Sequence, residues 1–443
     1  MEWIDTTVGE FCPFVYGKAI KKSDQISEGM PVFGSNGVYA FSEKPLVDSH
    51  GVIIGRKGSV GKIHLSEEAF WVSDTAYYTN KATLADTYFV YYLLSSLGLE
   101  NMNTDAAVPG LNRSNAHRLE IKVPKYASDR EQLIAPLMKL DNKIQLNHNI
   151  NQTLEKMAQA LFKSWFVDFE PVKAKVAALE AGGSDEDALL AAMESVSGKT
   201  TDQLATLSAE QPERYAELRA TAAQFPSAMQ DSELGEIPVG WSVAPFSELA
   251  WLDTTSIKPN NEPEKVWEHY SIPAFDEGKS PALELGANIK SNKYKVSPSA
   301  ILSSKLNPHF PRTWWPNVTD EEAAICSTEF MQFIPKEASH RPFVAGMIMS
   351  DPFQSGIMMR VTGSTGSRQR AQPKQVAVMN VVLPREELIE AYSTLTGGMY
   401  LTQARNIEQS NSLANLRDTL LPKLLSGELM PIEAKKQIVE VVS

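Results

Sequence analysis

The chain has only two cysteines in 443 residues, Cys12 and Cys326. Neither belongs to a Cys-x-x-Cys pair, so a disulfide framework and a thioredoxin-type redox motif are excluded, and each thiol reads as a core residue. Long apolar runs are missing too. No stretch approaches about 18 apolar residues and no charged-then-apolar leader follows Met1, so membrane insertion and secretion find no support and the cytoplasm is the expected compartment. The seven histidines include no i, i+4 pair and no His/Cys group at zinc spacing, so no metal site is expected.

Intact catalytic signatures are also lacking. Gly55-Arg56-Lys57-Gly58-Ser59-Val60-Gly61-Lys62 hints at a phosphate loop, but five residues separate Gly55 from Gly61 and Ile63 follows the lysine. A Walker A loop needs four residues there and Ser or Thr after the lysine. Asn307-Pro308-His309-Phe310 resembles the Asn/Asp-Pro-Pro-Tyr/Phe signature of amino-group DNA methyltransferases, with His at the third position. No Gly-rich strand-to-helix turn for S-adenosylmethionine precedes it. No catalytic residue is assigned.

A surplus of basic charge is absent as well, since the net charge is −12. Phosphate binding needs a basic face, which argues at first against a nucleic-acid partner. The acids are unevenly spread, however. Between Lys173 and Glu233 eleven acids stand against five bases, so this segment alone carries half of the net charge. Basic patches remain open to the rest of the chain.

What the sequence does contain is itself, twice. Trp3 and Glu10-Phe11 answer to Trp241 and Glu248-Leu249, and Val52 to Lys57 answers to Ala300 to Lys305. Ser73-Asp74-Thr75 matches Ser327-Thr328-Glu329, Gly110 with Arg113 matches Gly366 with Arg368, and Val123-Pro124 matches Leu383-Pro384. The period is far above that of solenoids. Two copies of one domain imply two similar jobs, which suits a binder of an extended two-part target.

Each copy changes periodicity along its length. From Trp3 to Pro124 short apolar runs are cut by Gly, Pro, Asn and Asp, as in a strand-rich mixed domain. Ser128 and Glu131 form a capping-box pattern that predicts a helix start. Leu133, Leu137, Leu140 and Ile144, then Ile150, Leu154, Met157, Leu161 and Trp165, make an apolar stripe at helical spacing. Continuous from Asp129 to Phe169, such a helix would be about 60 Å long. The second copy has Leu388, Tyr392, Leu395 and Met399, then Leu413, Leu416, Leu420 and Leu424. Asn406 to Gln409 mirrors Asn149 to Gln152. The two stripes predict an antiparallel two-helix coiled coil, with Pro136 and Gly397-Gly398 kinking or fraying the helices. The Ala-rich acidic stretch between the copies reads as helical pieces on a tether.

The remaining chemistry lies in polar and basic side chains at matching places. The first copy offers Ser35, Asn36, Arg56, Lys57, Ser59, Lys62, Arg113 and Asn115. The second offers Lys293, Lys295, Lys305, Asn307, Arg312, Arg368 and Arg370. Arg and Lys suit phosphates or guanine edges, and Asn suits adenine edges, so the sets read as a DNA-reading kit. Trp71, Tyr77, Tyr78, Trp314 and Trp315 read as core rather than stacking platforms. Two rival readings stay open: a stand-alone DNA amino-methyltransferase using Asn307 to Phe310, and a duplicated coiled-coil scaffold without base readout.

The duplicated plan, with Gly51 to Ser59, Ala160-Leu161-Phe162-Lys163-Ser164-Trp165-Phe166-Val167-Asp168-Phe169 and Arg417 to Leu429, resembles the specificity subunit of type I DNA restriction-modification systems. The resemblance spans essentially the whole chain. It implies an α+β fold of two tandem globular target recognition domains, short-strand-rich and mixed α/β, separated by two long helices paired as an antiparallel coiled coil in an internal pseudo-twofold repeat. The corresponding boundaries are 1–127 and 234–384 for the recognition domains, 128–172 and 385–443 for the helical spacers and tail, and 173–233 for the acidic insert. Each recognition domain would read one half of a bipartite site on double-stranded DNA. The resemblance also implies no cofactor in this chain. Two modification subunits holding S-adenosylmethionine, and restriction subunits using ATP and Mg, would assemble on it, and no membrane is involved.

Overall fold

The computed structural model describes residues 1–102, 110–362 and 369–442. The chain divides into two compact units, one of Met1–Asn147 with Glu408–Ser443 and one of His148–Ile407.

In the first unit a four-stranded sheet runs in the order Val15–Tyr16, Ala76–Thr79, Gly51–Gly55, Ile63–Ser66. A three-stranded sheet places Met30–Gly34 between Gly37–Ser42 and Trp71–Val72, and Trp3–Thr7 pairs antiparallel with Glu120–Pro124. The β-branched run Val52-Ile53-Ile54 is buried on both faces, which is why it reads as a continuous apolar segment rather than an alternating one. Helix Leu84–Ser96 covers this sheet and buries Phe89, Val90 and Leu93. Cys12 lies in the same core, and burial pushes its thiol up to about 12.

The second unit repeats this plan internally. Ala250–Asp253, Phe330–Pro335, Ile301–Ser304 and Thr313–Trp314 form a four-stranded sheet of the same order. Ser242–Pro245 pairs with Asn380–Leu383 as Trp3–Thr7 does with Glu120–Pro124. Val266–Tyr270 lies between an antiparallel and a parallel neighbour, and Lys293–Lys295 with Ser256–Ile257 widens that sheet to five strands. Cys326 is also buried there.

One expected match slips by a residue. Ile54 pairs with Tyr77 and Ser303 with Met331, so Gly55 answers to Ser304 and Arg56, not Lys57, answers to Lys305. The backbone bonds agree: Arg56 N–H donates to Thr75 O and Lys305 N–H to Glu329 O, both at 2.9 Å. Every residue of both central strands is buried. Without alternation between faces, nothing in the sequence pins the register there. A second expected match also moves, because the bridge of Lys57 with Gly110 is repeated by Leu306 with Arg370. Gly110 therefore answers to Arg370, while Gly366 and Arg368 lie outside the described residues.

Two long helices, Ala127–Phe166 and Glu386–Leu425, each have 40 residues. The first starts at Ala127 rather than after a Ser128 cap: the N–H groups of Asp129 and Arg130 both reach Tyr126 O. It ends at Phe166, and Phe169 takes φ +55 before the next helix. Both helices pass unbroken through Pro136 and Gly397-Gly398.

In the first unit Leu133, Leu137, Leu140, Leu413, Leu420 and Leu424 are buried, with Ile144 and Leu416 packed beside them. They share that core with Phe89 and Leu93 of the globular part, so the stripe serves more than helix pairing. Asn147 Nδ2 donates to Gln409 Oε1 at 2.9 Å. In the second unit Trp165, Leu388 and Tyr392 are buried and Leu161 packs against them. Leu154 is half-buried, and Asn406 Nδ2 donates to Asn151 Oδ1 at 2.8 Å. Two expected stripe residues are overturned: Met157 and Leu395 are 47% and 48% exposed. Ala158 and Thr396 take their places in the seam, because Tyr392 comes close enough to donate to Ala158 O at 2.9 Å. In each unit residue numbers rise on one helix as they fall on its partner, so the pairing is antiparallel.

The acidic stretch is packed rather than a tether. Helices Asp185–Ser197, Thr201–Glu210 and Pro212–Gln224 bury Ala192, Met193, Leu204 and Ala222 together, and helix Glu170–Glu180 sets Val172 in one core with Val196 and Phe225. Lys175 lies inside, its ammonium donating to Phe225 O at 2.6 Å, and burial lowers its pKa. Hairpin Met229–Ser232 with Gly235–Pro238 then leads into the second strand-rich region.

Candidate nucleic-acid interface

The first unit gathers its candidates around one loop junction. The loop from Gly55 to Lys62 folds back tightly: a Cβ on Gly55 would fall 2.0 Å from Ser59 O. Gly61 has φ +71 and lies against the Leu99-Glu100 backbone, where a Cβ would meet Glu100 N at 2.2 Å. These glycines serve the turn and its close approach, not a phosphate. Arg56 and Lys57 are anchored by their N–H groups to Thr75 O at 2.9 and 3.0 Å, and Leu111 N–H closes on Arg56 O at 2.9 Å.

Side chains complete the cluster. Asn36 occupies the turn between two strands, and its Oδ1 accepts from Lys62 Nζ at 3.0 Å and Ser59 Oγ at 3.3 Å. Ser35 N–H donates to Thr75 Oγ1 at 3.3 Å. The Arg56 guanidinium lies 4.9 Å from the Tyr16 ring centroid and that of Arg113 lies 4.7 Å from it. Asn112 caps the short helix Arg113–His117 by accepting from Asn115 N–H at 3.2 Å, which fixes both Arg113 and Asn115. Among the described residues none of these cations forms an ion pair with a carboxylate: Arg56 donates to Asp74 O and Lys62 to an amide oxygen.

The second unit is different. Arg312 makes a two-pronged pair with Asp276 at 2.7 and 3.0 Å, and Arg370 pairs with Glu329 at 2.8 Å. Lys295 pairs with Glu322 at 3.2 Å. Arg370 holds the Glu329 carboxyl below its usual range. Lys293 does not reach the surface as expected. It is buried in the five-stranded sheet, donates to Ser291 Oγ at 2.6 Å and is pushed down in pKa by burial. Lys293 and Lys295 share one face of their strand, so alternation does not separate them; Lys293 alone is covered. Arg368 lies outside the described residues.

Lys305 is half-buried at the junction, and Asn307 takes the left-handed conformation at φ +47 with its N–H on Gln369 O at 2.9 Å. Phe310 N–H returns to Asn307 O at 3.0 Å, so Asn307 to Phe310 is a turn, held at its tip by His309 Nε2 against Gln369 Oε1 at 2.6 Å. Phe310 is 68% exposed.

Sequence reasoning missed Tyr16, whose ring meets both guanidinium groups and is 44% exposed. Its two-residue strand carries no signal beyond an aromatic followed by Gly17. The aromatics read as core behave so at Tyr77 and Trp314, both 2% exposed. Trp71 donates to Lys18 O at 2.7 Å, and Trp315 stacks on Tyr400 with centroids 4.3 Å apart.

Known proteins share this chain's pattern. Residues 1–156 match the type I restriction modification DNA specificity domain. The specificity subunit of the HindI type I restriction enzyme of Haemophilus influenzae is 30% identical over 336 residues, covering 72% of this chain and 71% of that one. The MjaIX specificity subunit of Methanocaldococcus jannaschii is 20% identical over 355 residues, covering 77% and 68%. The S subunit of a type I system from M. genitalium aligns over 96% of both chains at 14% identity, with a TM-score of 0.48. The chain belongs to the family of specificity subunits of type I restriction-modification enzymes.

Proposed function

We propose that this chain is the DNA-reading, non-catalytic subunit of a type I restriction-modification complex, and that each strand-rich region reads one half of an asymmetric bipartite site. The observation that carries the reading is the repeated loop junction with different side chains. Arg56-Lys57 closed by Leu111 in the first unit becomes Lys305-Leu306 closed by Ala371 in the second, through the same pair of backbone bonds. A shared frame with changed contact residues is what two different addresses require. The free cations of the first unit and the paired cations of the second strengthen the asymmetry.

The 40-residue helices are the spacer in this reading. Joined on one chain, two modest half-site affinities combine, because binding one half raises the effective concentration of the other. The outer faces of the helices dock two modification subunits, which supply S-adenosylmethionine, and restriction subunits bring ATP and Mg. Neither the stand-alone methyltransferase nor the scaffold without base readout is supported by the relatives, which are specificity subunits.

The test is methylome sequencing of cells that carry this gene with its modification partner, with and without Arg56→Ala plus Arg113→Ala. One bipartite motif is expected, and the double variant should relax or abolish the first half while leaving the second half's bases unchanged. Methylation indifferent to sequence, or variants that change both halves alike, would sink the reading.

A further inference from the structure

The loop that leaves the junction is built on one frame in both units. Gly58 takes φ +80 and Asn307, at the equivalent place, takes φ +47. Each loop closes through the same backbone bond, Gly55 N–H on Lys62 O at 2.8 Å and Ser304 N–H on Arg312 O at 2.9 Å. Between these fixed points the contents differ. Three residues separate Gly58 from Lys62, but four, Pro308-His309-Phe310-Pro311, separate Asn307 from Arg312. The first loop shows polar groups, with Ser59 and Lys62 both bonded to Asn36. The second shows Phe310.

Phe310 is mounted firmly. Pro308 and Pro311 fix the backbone on either side of the tip, the Phe310 N–H is held on Asn307 O, and Phe310 O accepts from Arg312 Nη1 at 3.4 Å. His309 on Gln369 and Arg312 on Asp276 tie the turn to the rest of the unit. The side chain nevertheless stands 68% exposed. An apolar ring held out in water is stabilised only when something apolar covers it. The ring has no charge and no hydrogen-bonding group, so what it reads must be apolar as well. In the major groove of DNA the apolar group that a base edge presents is the 5-methyl of thymine.

We propose that Phe310 is a specificity-determining residue of the second strand-rich region and covers the 5-methyl group of a thymine in the second half-site. This rests on the DNA-reading function proposed above and adds a base class to it. The two loops then read by opposite chemistries from one frame, the first with polar groups and the second with a hydrocarbon face.

The test uses the assembled complex and the second half-site given by the methylome. Each thymine of that half-site is replaced in turn by deoxyuridine, which removes the methyl group and keeps every hydrogen-bonding group. At one position the replacement should weaken binding by the parent complex about fourfold, as loss of one buried methyl group does. Phe310→Ala should bind the thymine duplex at least that much more weakly and no longer distinguish it from the deoxyuridine duplex. Phe310→Leu, which keeps an apolar side chain, should retain part of the preference. Parent binding indifferent to deoxyuridine at every position overturns the proposal, as does a half-site with no thymine on either strand. A Phe310→Ala complex that binds more weakly but still prefers thymine as the parent does would assign the ring to stacking and also overturn it. Pro308 and Pro311 border an open cleft with Met358 and Met359, so loss of the modification subunit by Phe310→Ala on size-exclusion chromatography would make this surface a protein contact and overturn it too. A parent complex with no sequence preference at all would instead sink the DNA-reading function, so the two failures are distinguishable.

Discussion

Asp141 on the first long helix accepts from Arg417 of the second at 2.7 Å, and its other oxygen accepts from the Tyr92 hydroxyl at 2.5 Å. One carboxylate so joins three helices of the first unit. Burial and the carboxylate together hold the Tyr92 phenol well above its ordinary range, so it stays a donor. Asp141→Asn preserves shape but leaves Arg417 and Tyr92 without their anionic partner. A charged hydrogen bond of this kind contributes about 2 kcal/mol. Chemical denaturation should show a loss of that order for the variant. Asp141→Leu combined with Arg417→Met should recover much of it, because matched apolar groups can replace a part-buried ion pair. Additive losses in the double variant would show that the two residues do not act as a pair.

Tyr16 meets Arg56 and Arg113 through the face of a half-exposed ring, an arrangement that fixes two guanidinium groups without neutralising them. Cation–π contacts of this kind are worth about 0.5–1 kcal/mol each at exposed sites. Tyr16→Ala should therefore weaken binding of a cognate duplex by the assembled complex about tenfold. Tyr16→Phe should keep most of the affinity. Fluorescence anisotropy with duplexes altered in one half at a time checks this. Equal effects of the Phe and Ala variants would show that the ring contributes nothing to binding.

In the second unit the acid is the lever. Glu329 holds Arg370, so Glu329→Gln frees a cation at the loop junction. The expected outcome is tighter binding at low salt to any duplex, with the slope of log affinity against log salt steeper by about one. An unchanged slope would mean that Arg370 does not face phosphate.

Much of this was legible in the sequence, and the failures have physical causes. The matched landmarks Trp3 with Trp241 and Val123-Pro124 with Leu383-Pro384 keep their order at the ends of equivalent strand pairs, although the pairing itself, Trp3–Thr7 with Glu120–Pro124 and Ser242–Pro245 with Asn380–Leu383, comes from the fold. The long helices were visible because an apolar stripe sustained over about ten turns fits a helical period and no strand period. Met157 and Leu395 were misplaced because a small residue, Ala158 or Thr396, can occupy a seam that hydrophobicity assigns to a larger neighbour. Lys293 is misread because it shares a strand face with the more exposed Lys295, and only the fold decides which of the two is covered. The ion pairs that neutralise Arg312 and Arg370 join residues far apart in sequence, which only the fold brings together.

His117 gives the first loop junction a pH dependence of defined sign. Phe14 N–H donates to His117 Nε2 at 2.8 Å, which requires an unprotonated acceptor nitrogen. Burial, with Arg113 nearby, holds the His117 pKa below its ordinary 6.5. His64 and His269 are lowered by burial in the same direction. A histidine depressed in the folded state contributes stability above its unfolded pKa, and that contribution is lost as pH falls below about 6.5, where the unfolded chain takes up protons the native state refuses. The unfolding midpoint should thus drop between pH 7.5 and 5.5. The His117 bond also fixes the short helix that carries Arg113 relative to the strand that carries Tyr16. Binding at the first half-site should weaken over the same range, although protonation adds positive charge and simple electrostatics would strengthen it. NMR titration of the His117 ring with parallel duplex binding separates the two effects. A ring pKa above 6.5, or binding that tightens steadily toward pH 5.5, would refute this assignment.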